Sequence, residues 1–159
     1  MTRQMLLLWV LAAGFATVPL HAQEATPQFK PVADPAPRDA SLKPVFDQFG
    51  GKAGLAAVVD DFMANNLANP RTRRFFTDID RAHVKAQLVD QFCVILGGPC
   101  TYTGKNMEQA HRGLDIHRSE FDALVENLQK AMDKHAIPFR AQNKLLAKLA
   151  PMHREIVTK

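Results

Sequence analysis

Apolar residues in this chain recur at intervals of three and four, and nowhere do they alternate with polar ones over the length of a strand. A strand turns successive side chains to opposite faces, whereas a helix returns to the same face every 3.6 residues, so this spacing predicts helices and no sheet. Between Lys52 and Ala68, residues Leu55, Val58, Val59, Phe62, Met63 and Leu67 form one stripe, ended by Pro70. A second helix is expected from Arg81, capped by Asp80, with Val84, Leu88, Phe92 and Ile95 on one face and Val89, Cys93 and Leu96 alongside. Gly97-Gly98-Pro99 stops it. Shorter helical pieces are expected around Phe46 and Phe49, closed by Gly50-Gly51, and from Lys105 to Arg112, closed by Gly113. Ser119 with Asp122 is expected to cap a helix carrying Phe121, Leu124, Val125, Leu128 and Met132. Pro138 separates it from a last helix with Leu145, Leu146 and Leu149. The expected fold class is all-α.

The two ends read differently. Residues 1–22 begin with Arg3, continue through an uncharged run from Met5 to Leu20, and reach small residues at Ala22 and Ala25. This is the layout of a signal peptide, with cleavage expected after Ala22. Pro19 and His21 interrupt the run, which argues against an uncleaved anchor and leaves no stable membrane span after cleavage. Residues 23–44 carry Pro27, Pro31, Pro35, Pro37 and Pro44 and are expected to form an exposed, flexible linker. The folded domain is expected over 45–158. Export to a bacterial periplasm follows from the leader. The net charge of +4 comes from basic residues spread along the chain, with one Trp and one Tyr, so neither a basic patch nor a stacking platform for nucleic acid is supplied.

Chemistry must come from few residues. There is no HExxH, CxxCH, GxSxG or P-loop pattern. Of six histidines, His21 falls in the leader and His117, His135 and His153 fall at polar helix positions. His111 stands apart, directly before Arg112-Gly113, with Met107 four residues earlier. A neutral imidazole there can offer Nε2 to a metal while Nδ1–H bonds a carbonyl. It can equally be a cap that solvates the last carbonyls of its helix. Phe75-Phe76 and the set Met63, Val84 and Leu88 are compatible with plain core. Cys93 and Cys100, seven positions apart, are compatible with a disulfide in an oxidising compartment or with a buried small residue and a free thiol.

Several ordered segments nonetheless resemble the group I truncated haemoglobins: VFDQFGGKAGLAAVVDDF, NPRTRRFF, KAQLVDQF followed by GGP, YTGKNMEQAHRGL, and FDALVENLQKAMDKHAIP. Together they run from Pro44 to Val157, and the element from Tyr102 to His111 is the most specific. The resemblance implies a two-over-two helical sandwich holding a noncovalent haem b. It assigns His111 as the iron ligand, with Met107 below the ring, Phe76 on the porphyrin face, Phe62 as a buried neighbour, and Tyr102 among the cofactor-binding residues. Met63, Val84, Gln87 and Leu88 fall at the distal positions.

The departures from the family pattern carry information. Many members have Tyr where this chain has Met63 and Gln where it has Val84 or Leu88, and those side chains donate hydrogen bonds to dioxygen. The implied function is reversible binding of dioxygen or another diatomic gas (NO, CO), served by a reductase that the sequence does not name. The alternative is a haem-dependent nitric oxide dioxygenase, which needs a long-lived oxygen complex that the apolar distal set disfavours. A haem-free helical module using Met63 as part of a groove is a third class. His83 and Met63 are candidates for a sixth iron ligand in the absence of gas.

Overall fold

The computed structural model describes residues 34–159; the expected signal peptide (1–22) and the first part of the proline-rich stretch (23–33) lie outside the described residues. The regular elements among the described residues are all helical: α1 Lys43–Gln48, α2 Gly51–Ala68, α3 Arg81–Ile95, α4 Met107–His111, α5 Arg118–Lys134, α6 Phe139–Leu149 and α7 His153–Ile156. Three-residue 3-10 turns lie at Ala40–Leu42, Arg73–Phe75 and Ala150–Met152. α2 packs on both α3 and α5, and α6 lies against α3 and α1, which is the expected two-over-two arrangement. Its centre is a continuous apolar core that includes Leu55, Val58, Val59, Phe92, Ile95, Leu96, Leu128, Met132 and Leu145.

The turn into α2 depends on glycine. Gly50 and Gly51 have φ of 78° and 66°, which lets the chain reverse between α1 and α2 within one step. Asp80 caps α3 by accepting from the His83 amide at 3.0 Å, as its position predicts. The cap of α5 differs from expectation. The helix starts at Arg118, so Ser119 lies inside its first turn, and the Glu120 carboxylate accepts the His117 amide at 2.9 Å. A carboxylate in that first turn also meets the positive end of the helix dipole.

The expectation of an exposed linker up to Pro44 is corrected from Asp34 onward. Ala36 is buried, and the Pro35 carbonyl accepts from Gln91 Nε2 at 2.6 Å. Arg38 donates to the carbonyls of Gly98 and Cys100 at 2.8 and 2.7 Å. Asp39 accepts from Ser41 and pairs with Lys148 at 2.9 Å. Proline stops helices but leaves carbonyls free to accept, and this segment is held by such bonds rather than by a ladder.

Cys93 and Cys100 form a disulfide with Cα atoms 5.9 Å apart. It fastens the end of α3 to the loop that leads to α4. A Cβ on Gly98 would stand 2.7 Å from Cys93 Sγ and from the Phe46 ring, so glycine is what lets the loop close there.

Candidate functional site

Asn106 opens α4 by accepting the Gln109 amide at 2.8 Å, and the helix ends at His111. Its five residues place His111 one turn after Met107. His111 Nδ1 lies 2.8 Å from the Met107 carbonyl. A carbonyl only accepts, so Nδ1 carries the proton and Nε2 is left with its lone pair. Burial lowers the imidazole pKa below its ordinary value, and the bond to Met107 partly opposes this. A ring neutral at pH 7, with one nitrogen tied down and the other free, has the form of a metal ligand.

Met107 contributes its carbonyl to that arrangement. Its side chain belongs to the main core, where Gln91 Nε2 lies 3.8 Å from its sulfur and 4.0 Å from that of Met152. Phe62 is also in the main core, and half-buried Leu88 and Tyr102 pack against it. Val84 is half-buried on α3, one turn before Leu88, and Gln87 lies between them.

Four buried apolar residues stand outside that continuous core: Met63 on α2, Phe76 after the 3-10 turn, Ile116 after α4, and Ala123 on α5. The loop carrying Ile116 is pinned from both sides. Arg74 donates to the Asp115 carbonyl and to Glu120, while the Thr158 and Lys159 amides donate to the Ile116 carbonyl. Asn127 on α5 ties the end of α2 to the corner before Phe76, donating to Asn66 Oδ1 at 3.0 Å and to Thr72 Oγ1 at 3.2 Å.

Gln87 and Tyr102 are brought together at Gly104, where an added Cβ would collide with Gln87 Oε1 and the Tyr102 hydroxyl. Tyr102 donates to the Lys105 carbonyl at 2.7 Å, and burial raises its pKa. Gln87 Oε1 is enclosed without a protein partner, as are His153 Nε2 and Glu155 Oε2 on α7, a helix that packs on α4. An enclosed polar atom left unpaired costs about 1–3 kcal/mol, so each of the three calls for a partner beyond the protein's own groups.

His153 was not singled out by the sequence. Its polar surroundings suggest a cap, yet its ring meets the Phe121 ring edge-on, with centroids 5.0 Å apart. Of the two apolar residues in the loop before α5, Leu114 is exposed and Ile116 is buried, a difference that the sequence does not signal.

A family model for bacterial-like globins matches residues 44–158. A group 1 truncated haemoglobin of Mycolicibacterium paratuberculosis is 32% identical over 121 residues, covering 76% of this chain and 89% of that protein. The chain belongs to the group 1 truncated haemoglobins. Another group 1 truncated haemoglobin, from Tetrahymena thermophila, is 40% identical over 84 residues, 53% of this globin and 69% of that one. The crystal structure of the Tetrahymena pyriformis truncated haemoglobin in its Fe(III) form superposes with a TM-score of 0.69 at 30% identity. It covers 72% of this globin and 98% of that chain.

The residues present fit the prosthetic group of this family. Among the described residues no group of three or more His, Cys, Asp or Glu side chains could hold a metal ion. A lone imidazole suits iron whose other protein-independent ligands come from a macrocycle. The globin also supplies buried apolar residues outside its core and enclosed polar atoms without partners, as a flat apolar ring with a polar edge requires.

Proposed function

We propose that this globin holds haem b through His111 Nε2 and reversibly binds dioxygen or another diatomic gas on the opposite face. When bound, the haem supplies reversible coordination of the gas to ferrous iron. His111 is fixed by the Met107 carbonyl, which sets its tautomer and increases its basicity as a ligand. Phe76 would pack on the ring, and Gln87 and Tyr102, which both lie beside Gly104, would close one edge. Met63, Val84 and Leu88 make the gas side apolar and exclude water.

The observation that carries this reading is the free Nε2 of His111, set by the bond at Nδ1. The leader and the disulfide support export to an oxidising compartment, a periplasm. A reductase is required to keep iron ferrous. The apolar distal set supports gas binding over nitric oxide dioxygenation, which needs oxygen held for long enough to react.

Absorption spectra of the purified protein after haem reconstitution test the reading. The parent is expected to show a strong Soret band that shifts with carbon monoxide, and His111→Ala is expected to lose haem on gel filtration. A parent that stays colourless, or a His111→Ala variant with an unchanged spectrum, overturns it. Rapid turnover of nitric oxide by the oxygenated parent would favour the enzyme instead.

A further inference from the structure

Resting on that haem reading, we infer that Met63 is a sixth ligand to the iron, its thioether sulfur binding whenever no gas is present.

The described part of the chain has four methionines: Met63, Met107, Met132 and Met152. Three of them are accounted for by the protein itself. Met107 and Met152 direct their sulfurs at Gln91 Nε2, and Met132 is fully buried in the main core. Met63 is as well buried, at 4% exposure, yet it stands outside that core with Phe76, Ile116 and Ala123. A buried thioether that the core does not use is a soft ligand free to bind iron.

The competing donors on the same side are weaker candidates. His83 is exposed in the first turn of α3, where its backbone amide is held by Asp80. Val84 and Leu88 have no donor atom. Gln87 is turned toward Tyr102 and Gly104. Methionine is also unbranched, with three rotatable bonds, so it can swing on and off the metal without moving α2.

An axial His and Met pair raises the reduction potential of haem relative to imidazole alone. It also makes gas binding wait for the thioether to leave. Met63 thus protects ferrous iron from water and oxidants at rest, and sets a ceiling on the rate of gas binding.

Met63→Leu conserves volume and apolarity, so the fold is expected to persist. Absorption spectra of the ferric and ferrous reconstituted parent, and the EPR spectrum of its ferric form, are expected to be those of six-coordinate, low-spin iron. Those of Met63→Leu are expected to be high-spin, with the reduction potential shifted downward. Carbon monoxide binding to the ferrous parent should level off at high gas concentration, and in Met63→Leu it should rise linearly. A coloured but high-spin parent overturns the assignment while leaving haem binding by His111 intact, whereas a colourless parent defeats the haem reading itself. A Met63→Leu spectrum that stays low-spin, or one that turns high-spin only in His83→Ala, also overturns it.

Discussion

Breaking the Cys93–Cys100 bridge should destabilise the protein by an amount that follows from the length of chain it closes. The two cysteines are seven residues apart. In the chain-entropy treatment a loop of this size constrains the unfolded state by about 2.5 kcal/mol. For a domain between the small and mid-sized cases, that corresponds to a fall in Tm of about 8–12 °C. The measurement is thermal unfolding of the parent, oxidised and fully reduced, beside a Cys93→Ala/Cys100→Ala variant. The reduced parent keeps both sulfur atoms, so its loss reports the crosslink; the double variant adds a small cavity at fully buried Cys93. Haem loss should accelerate in the same order, because the bridged loop leads directly to Gly104 and α4. Oxidised and reduced melts that coincide, or intact mass showing two free thiols in the exported protein, would refute the reasoning.

Three other outcomes are expected. Asn127→Leu strips Asn66 Oδ1 and Thr72 Oγ1 of their shared donor and should cost about 2–4 kcal/mol in urea unfolding; a loss under about 1 kcal/mol would mean that water replaces the amide. The Asp39 carboxyl is lowered from its ordinary 3.8 to about 2, first by the Ser41 hydroxyl and then by Lys148. Its stabilising contribution is therefore complete above pH 3.8 and is lost as pH falls toward about 2, so Asp39→Asn should flatten that part of the acid-unfolding curve. Met63→Tyr should restore a hydrogen-bond donor to the gas side and slow dioxygen dissociation ten- to a hundredfold, from a charge-assisted bond worth about 1.5–3 kcal/mol; stopped-flow traces equal to the parent's would show that the donor does not reach the gas.

Local signals in the sequence carried most of the fold. The stripe from Leu55 to Leu67 marks α2, Asp80 and Gly97 mark the ends of α3, and the place of His111 before Gly113 points to its carbonyl partner. What stayed hidden depends on side chains meeting from distant segments. Nothing near Arg38 announces that it will reach Gly98 and Cys100, about sixty positions away. The proline content there describes what the backbone cannot do and is silent on what its carbonyls accept. Ser119 with Asp122 suits the start of α5 in sequence, but the Glu120 carboxylate takes the His117 amide there and also accepts from Arg74, which comes from a distant segment. His153 looked polar in sequence because its packing partner, Phe121, arrives from α5.

The stretch just upstream of the family boundary has a practical consequence. A recombinant protein cut to begin at Pro44 would discard Ala36, Leu42 and the Arg38 fork, stripping a cover from the bridged loop. Such a trimmed version would expose Gln91 and the Gly98 carbonyl to solvent, and its behaviour would reflect surgery at the wrong seam rather than the properties of the natural molecule.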